Sequence, residues 1–354
     1  MSSGEYRSRR PKKQQGNQKK GVKPVTRTIA LTDSDAKWKI EGVNWSEQLL
    51  KVRVESEKKA KKGLNLPDFR ELSLNYVFLF SKIMNQSVTR RFGSESHESV
   101  WGSLPLINKL TLSAKAASWT KKMLNMATTA TPKPNLRDFK KATSKWMVEA
   151  CDDDDDELLV FGDLLHRSVP RLLSATISET VEDTFVYNTV SDMLNVVFGE
   201  DQKLLHEWVN KKLPDTEANI TMKPDFVAAT KPAKRTVYLF SVEIKPSRRT
   251  SDDDICEDRV KLGNQMKTMM QTLESFHIEN AQTIGLLIQG YDCTLYLMDN
   301  VYKPIYRMIE MYSFSLPKTI EEISVLEHAV ECLLSCKAVV ERNANEVEKH
   351  FTFE

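Results

Sequence analysis

Apolar residues in the first half of the chain recur at the three- and four-residue spacing of amphipathic helices. This pattern predicts helices over about residues 44–63, 67–83, 104–127, 135–150 and 164–173. Gly63 favours the end of the first helix, and Pro67 favours the start of the second. We therefore expect an all-helical region that is either a separate domain or a support for the rest of the chain.

Beyond about residue 176 the apolar pattern switches between helical and strand-like periods. Helices are predicted over 177–198, over 257–277 and from Thr319 past Val340, and strands over 219–229, 236–246, 282–289, 293–299 and 303–314. This order predicts an α/β fold of the mixed α+β kind. The expected segments are a disordered tail over 1–28, a helical region over 29–150, an acidic linker and helix over 151–175, the mixed domain over 176–316 and a C-terminal helix over 317–354.

The charge of the chain is unevenly distributed, although its net value is only +2. Residues 1–27 hold nine Lys and Arg against Glu5, a net charge of +8, so the remaining residues carry −6. Such a tail cannot bury enough apolar surface to offset its ordering entropy, and we expect it to be disordered. Its basic cluster predicts nuclear import, the alternatives being a polyanion-binding arm or a solubilising tail. The cluster consists of Arg9, Arg10, Lys12, Lys13, Lys19 and Lys20.

Several classes of protein are disfavoured by the composition. The longest apolar runs, such as Tyr76–Phe80, are far shorter than the roughly 20 residues of a membrane span, so we expect no membrane association. The first ten residues contain no apolar segment, and the five cysteines are scattered without paired spacing. We therefore expect no secretory signal and a reducing, intracellular compartment. The phosphate-binding glycine motifs of nucleotide enzymes are not found, and the histidines show no spacing typical of catalytic triads.

The most informative stretch is a predicted hairpin from Asp225 to Pro246. Strand alternation assigns Val237, Leu239, Ser241, Glu243 and Lys245 to one face, and Tyr238, Phe240, Val242 and Ile244 to the apolar opposite face. Pro246 ends the strand just past the charged pair. The preceding strand is expected to bring Asp225 back within reach of Glu243.

Two carboxylates held that close repel each other unless a cation lies between them. A hard divalent ion with oxygen ligands, Mg²⁺ above all, suits Asp225 and Glu243. The neighbouring ammonium of Lys245 could activate a water molecule or stabilise charge developing on phosphorus. The combination predicts metal-assisted hydrolysis of phosphodiester bonds.

Pro224–Asp225, followed eighteen residues later by Glu243-Ile244-Lys245, resembles the PD-(D/E)XK signature of restriction-endonuclease-like phosphodiesterases. The resemblance implies an α-β-β-β-α-β core and a site for Mg²⁺, which Mn²⁺ would replace. It implies that Asp225, Glu243 and the backbone carbonyl of Ile244 are metal ligands and that Lys245 is the catalytic lysine.

The same superfamily frequently draws further site residues from the two neighbouring helices. By this resemblance Glu182 joins the metal ligands, whereas Glu179 fits a helix-capping position. Gln265 is implied as a polar residue that orients phosphate or water, with Lys261 and Lys267 as competitors.

A second resemblance covers about residues 170–316 and is carried by Val260–Lys267, Gly285–Cys293 and Tyr306–Tyr312. These segments look like a large fungal family with the same nuclease-like core, for which no substrate is established. This resemblance strengthens the expected fold more than the expected function.

Three functions stay open at this point. The first is a nuclear Mg²⁺-dependent DNA nuclease, endo- or exonucleolytic, whose origin in a mobile element would fit; Trp119 could stack on bases or lie in the core. The second is an inactive nuclease fold that binds nucleic acid or acts as an adaptor, with protein contacts made by the N-terminal helical region. The third is an interaction module in which Glu243 and Lys245 form a surface ion pair. The oligomeric state is left open.

Overall fold

A computed structural model describes residues 37–130, 134–174, 182–199, 203–208, 223–246 and 252–352, with the backbone alone described at 182 and 252–257. The predictions for the basic tail and for Glu179 lie outside these residues. The chain folds as a mixed α+β protein, which confirms the predicted class. None of the described helices combines the length and the apolar character needed to cross a membrane.

The helices that the structure describes include the predicted ones with several changes of boundary, and α3, which was not predicted. They are α1 (Trp45–Lys61), α2 (Asp68–Leu74), α3 (Ser94–Gly102), α4 (Ala114–Thr128), α5 (Leu136–Asp152), α6 (Asp156–Leu172), α7 (Glu182–Phe185), α8 (Ser191–Phe198), α9 (Asp252–Ser275) and α10 (Val325–Thr352). A π-helical segment, Val186–Val190, joins α7 to α8. The predicted helix over 104–127 is wrong for residues 104–113, where Pro105 follows the end of α3.

The strands in the described ranges form a two-stranded ladder and a seven-stranded sheet. The ladder is β1 (Lys39–Ile40) with β2 (Val43–Asn44), and the sheet contains β3 (Val77–Phe80), β4 (Leu205–Trp208), β5 (Phe226–Thr230), β6 (Val237–Lys245), β7 (Thr283–Gln289), β8 (Asp292–Tyr302) and β9 (Ile305–Ser315). Their spatial order is β3-β9-β8-β7-β6-β5-β4. Among these described strands, the pairs β3–β9 and β6–β7 are parallel and the other neighbours are antiparallel. Helix α9 makes the crossover that a parallel pair such as β6–β7 requires.

The predicted helix over 67–83 is wrong beyond Leu74. Tyr76 has a φ of +61°, a left-handed conformation that ends the helical turn, and Val77–Phe80 then runs as a fully buried strand beside β9. A four-residue apolar run is compatible with either period, so sequence alone does not separate the two outcomes. The N-terminal region is therefore not all-helical, because it supplies an edge strand to the main sheet.

Helices cover both faces of the sheet. On one face, α9 packs against β6 and β7, and α2 packs against α9. On the other face, Phe198 of α8 stacks on Phe240 of β6 with their ring centroids 4.5 Å apart, and α10 packs beside α8. Trp119 is 1% exposed and stacks on Trp146, which identifies it as a core residue rather than a base-stacking one.

A register shift in the β5–β6 hairpin changes one predicted face. Ala228 lies opposite Phe240 but Ala229 lies opposite Tyr238, so Leu239 is the extra residue of a β-bulge. Tyr238 packs against Val227, which is paired with Ser241. Placing Tyr238 on the face opposite Ser241 is therefore wrong, whereas the alternation from Phe240 to Lys245 is unbroken.

Candidate active site

The hairpin brings Asp225 beside the end of β6. Phe226 pairs with Val242, and the backbone N–H of Asp225 donates to the Val242 carbonyl at 2.9 Å, so the continued register sets Asp225 opposite Glu243. Residues directly opposite each other on antiparallel strands share a face. The Oδ2 atom of Asp225 also accepts a hydrogen bond from the backbone N–H of Ile244 at 2.7 Å. The Asp225 carboxylate therefore lies against the backbone of the Glu243–Lys245 segment.

Glu243 is fully buried beneath α9. Its Oε2 accepts a hydrogen bond from the ammonium of Lys261, and its Oε1 accepts one from the side-chain amide of Gln265. Gln265 is itself held by Ser241, whose hydroxyl donates to the Gln265 Oε1 atom. Both oxygens of the Glu243 carboxylate are thus fixed by side chains from one turn of α9.

Burial raises the pKa of Glu243 to about 7. The ammonium of Lys261 opposes this shift, whereas the nearby charge of Asp225 adds to it because two negative charges repel. This repulsion agrees with the hairpin register, which sets Asp225 opposite Glu243. A cation placed between them would relieve both the repulsion and the cost of burying the Glu243 charge.

Lys245 is the last residue of β6 and lies on the same face as Glu243, two residues away. Its ammonium is 3.9 Å from the Oδ1 atom of Asp258 on α9, and its side chain remains 33% exposed. The backbone carbonyl of Lys245 accepts a hydrogen bond from Gly290 at 2.6 Å, which anchors this end of β6 to the turn after β7. A partly exposed amine therefore lies at the end of β6, on the strand face of Glu243 and beside Asp258 of α9.

Ile244 has a buried side chain on the opposite face of the strand. Its N–H points towards Asp225, and in a β-strand the N–H and carbonyl of one residue project towards the same neighbouring strand. The Ile244 carbonyl therefore faces the side on which the Asp225 carboxylate lies, where it can serve as an oxygen ligand.

The structure decides among the three α9 candidates. Gln265 and Lys261 both contact Glu243, whereas Lys267 donates to the Asn75 carbonyl at 2.8 Å, away from the hairpin. Lys267 also lies 5.1 Å from the ring centre of Tyr306, and burial lowers its pKa to about 8. Lys267 is therefore wrong as a site residue, because its ammonium belongs to the contact between α9 and the N-terminal region.

Glu182 is the first described residue of α7, and its side chain lies outside the described part of the structure. Phe185, one turn later, packs edge-on against Tyr291, with ring centroids 5.6 Å apart. Tyr291 follows Gly290, which is bonded to Lys245. Helix α7 therefore begins at the same end of the sheet as the hairpin site, and the metal-ligand role of Glu182 stays a prediction.

Two residues of this cluster have roles that were not predicted from the sequence. Ser241 orients Gln265, and Asp258 pairs with Lys245, whereas Lys261, already a candidate, is the direct partner of Glu243. The role of Ser241 had a signal in the sequence, because a polar residue stands there on the Glu243 face of an otherwise apolar strand. Because Glu243 is fully buried and pairs with Lys261, the hypothesis of a surface ion pair between Glu243 and Lys245 is wrong.

The oxygen donors of this cluster meet the requirements of Mg²⁺ without a full set of protein ligands. Among the residues whose side chains are described, no group of three or more His, Cys, Asp or Glu side chains could hold a metal ion. Mg²⁺ nevertheless keeps several waters and is commonly held by one or two carboxylates together with substrate phosphate oxygens. Asp225, Glu243 and the Ile244 carbonyl fit that requirement, and a full protein cage is not needed.

Comparison with models of known protein families found no match, and comparison with curated proteins found no significantly similar sequence.

Proposed function

We propose that this chain is a Mg²⁺-dependent phosphodiesterase of the PD-(D/E)XK type that acts on DNA. The observation that carries the proposal is the convergence of Asp225, Glu243 and Lys245 at one end of the β5–β6 hairpin, on the face covered by α9. Further support comes from the element order α8-β4-β5-β6-α9-β7, in which β6 and β7 are parallel. That order matches the α-β-β-β-α-β core implied by the motif.

Each side chain has a distinct part in the proposed reaction. Asp225, Glu243 and the Ile244 carbonyl would hold Mg²⁺, which supplies polarisation of the scissile phosphate and a more acidic bound water. The partly exposed ammonium of Lys245, on the same strand face as Glu243, would orient the attacking water and stabilise its developing charge. Gln265 and Ser241 hold the Glu243 carboxylate in place.

A second candidate function is a noncatalytic nucleic-acid-binding or adaptor protein with the same fold. One observation favours it: Lys261 and Gln265 already satisfy both carboxylate oxygens of Glu243. The charge of Lys261 can stabilise a buried carboxylate without any metal. The two functions differ in whether Mn²⁺ or Mg²⁺ binds and whether phosphodiester bonds are cleaved.

The test is Mg²⁺-dependent cleavage of plasmid and labelled linear DNA by the purified full chain. Asp225→Asn, Glu243→Gln and Lys245→Met are each expected to lower the cleavage rate by about a hundredfold or more. Lys231→Met is the matched control, because Lys231 is an exposed lysine at the opposite end of the same hairpin. Calorimetric titration with Mn²⁺ should show binding to wild type and to the control, and loss of binding in the two acid variants.

Two results would remove the proposal. Equal cleavage by all five proteins would identify a contaminating nuclease. Absence of both cleavage and Mn²⁺ binding in a folded wild-type protein would favour the adaptor.

A further inference from the structure

The C-terminal end of α1 carries a dense group of exposed lysines. The α1 lysine patch consists of Lys58, Lys59, Lys61 and Lys62. None of these four makes an ion pair with an acidic side chain of the described residues; Glu57, next to them in sequence, pairs with Arg53 instead. Basic residues in the last turn complement a helix dipole, but that effect falls off within one turn and does not require four charges. The patch therefore carries positive charge that is available to an anionic partner.

Helix packing fixes the level of this patch relative to α2. The hydroxyls of Ser56 in α1 and Ser73 in α2 are hydrogen-bonded at 3.0 Å, and the Arg53 guanidinium lies 4.1 Å from the ring centre of Tyr76, so the two helices run antiparallel. Lys61 lies five residues after Ser56 along α1, and Asp68 lies five residues before Ser73 along α2. At about 1.5 Å per residue these are equal distances along the two helix axes. Lys61 is therefore level with Asp68.

Asp68 lies at the level of the candidate active site. Its carboxylate is bonded to Arg259 of α9, and the preceding residue Asp258 pairs with Lys245. Because packed helices have axes about 8–10 Å apart, the step from α1 through α2 to α9 spans roughly 16–20 Å. At 3.4 Å per base pair this distance corresponds to about five or six base pairs of duplex.

We propose that the α1 lysine patch binds the phosphate backbone of a DNA duplex on one side of the bond being cleaved. This inference rests on the proposed function and names how the same site holds its substrate. The protein outside residues 1–27 has a net charge of −6, so a local excess of lysine is needed for its surface to attract phosphate. Lysine contacts to phosphate carry no base information, so the patch contributes affinity and register without sequence preference.

The test measures binding in an Asp225→Asn background, where no cleavage is expected and no metal is added. The patch variant replaces Lys58, Lys59, Lys61 and Lys62 by Ala. The matched control replaces four exposed lysines of α4 and α5, Lys121, Lys122, Lys141 and Lys145, which make no ion pair in the described structure. Fluorescence anisotropy follows binding to a DNA hairpin with a stem of about twenty base pairs and to one with about four, over a range of salt.

The patch variant should bind the long-stem hairpin more weakly. The slope of log affinity against log salt for that DNA should become shallower by about 2–4. The control should keep the salt slope of the Asp225→Asn parent. The short stem, which does not reach from the site to the patch, should respond equally to both variants. A patch variant that melts at the wild-type temperature but binds long DNA with an unchanged salt slope overturns the proposal. Equal losses on long and short stems also overturn it, because the patch would then act without a distance requirement.

Acidic lipid surfaces are the alternative anionic partner. Sedimentation with phosphatidylserine vesicles that depends on the patch, with DNA binding unchanged, would overturn the DNA assignment. Because binding is measured without cleavage, an inactive wild-type protein whose DNA salt slope depends on the patch refutes the enzyme and supports the patch. An active wild-type protein whose DNA salt slope does not depend on the patch supports the enzyme and overturns the patch proposal.

Discussion

The carboxylate of Asp225 accepts the backbone N–H of Ile244 at 2.7 Å, in the middle of the Glu243-Ile244-Lys245 segment. A side chain thus takes the place of a strand neighbour at the point where β5 has not yet begun. The bond holds Asp225 at a fixed position relative to Glu243 and Lys245. It also gives Asp225 a structural role that can be separated from any role in metal binding.

Two substitutions of Asp225 separate these parts. Asn retains an oxygen that can accept the Ile244 N–H, whereas Ala leaves that donor without its acceptor. We expect Asp225→Ala to lower the free energy of unfolding by about 1–2 kcal/mol more than Asp225→Asn, with both variants losing Mn²⁺ binding. Chemical denaturation and calorimetric titration measure the two effects. Equal stability of the two variants would show that the Ile244 contact contributes nothing to folding.

The hairpin site was predictable because its signal is local. Strand alternation from Phe240 to Lys245 fixes which residues share a face, Pro246 limits the strand, and the short turn returns Asp225 to its partner. These constraints operate within about twenty residues and need no information from the rest of the chain. The strands after α9 were confirmed for the same reason, since each has a clear apolar pattern of its own.

Several of the missed features depend on distant partners. β3 is a strand because β9 pairs with it, and the edge strand β4 exists because β5 offers its free side. The choice of Lys261 and Gln265 over Lys267 depends on how α9 is rotated on the sheet, and two glycines allow α9 to approach its neighbours closely. A Cβ on Gly263 would be 2.6 Å from Leu72, and one on Gly285 would be 2.5 Å from Met266. Periodicity in one segment contains no such information.

The buried Glu243 carboxyl should give the protein a distinctive pH dependence. Its pKa is raised from 4.5 to about 7 in the folded state, so between these values the folded protein binds the proton more strongly than the unfolded chain. The free energy of unfolding should therefore fall as pH rises through this window and level off above it, by roughly 3 kcal/mol in total. Glu243→Gln cannot titrate, so it should lack this component of the slope.

The measurement is the difference between wild type and Glu243→Gln in denaturant titrations from about pH 5 to 8. Taking the difference cancels every group that titrates equally in both proteins. The free energy of unfolding of Glu243→Gln, relative to that of wild type, should increase as pH rises. Parallel stability curves would mean that Glu243 is ionised throughout and that Lys261 fully compensates its burial.

Arg307 and Asp299 form a bidentate ion pair inside the β8–β9 hairpin. Both hydrogen bonds are 2.7 Å long, and the two residues are 4% and 1% exposed. Asp299→Ala strands a buried guanidinium, so we expect a loss of about 3–5 kcal/mol in the free energy of unfolding. The control is Glu346→Ala, which breaks the exposed pair with Lys349 and should cost less than about 1 kcal/mol. Similar losses in the two variants would contradict the importance of burial at this pair.

Gly285 lets α9 approach the sheet closely enough to reach Glu243. An alanine there would place its Cβ 2.5 Å from the Met266 sulfur and 3.1 Å from Leu262, the immediate neighbours of Gln265 and Lys261 in α9. Overpacking of this kind costs about 1–3 kcal/mol, and the flexible Met266 side chain favours the lower end. We expect Gly285→Ala to lower the melting temperature and to weaken Mn²⁺ binding, because α9 must shift by a few tenths of an ångström relative to β6 and β7.

Two comparisons make this prediction specific. Gly102→Ala, at the end of α3, meets no atom within 4 Å and should leave both stability and Mn²⁺ affinity unchanged. Combining Gly285→Ala with Met266→Ala removes the colliding sulfur, so the double variant should be more stable than the sum of the two single losses predicts. Strictly additive losses, or a destabilised Gly285→Ala protein with undiminished Mn²⁺ affinity, would show that the approach of α9 does not position the Glu243 carboxylate.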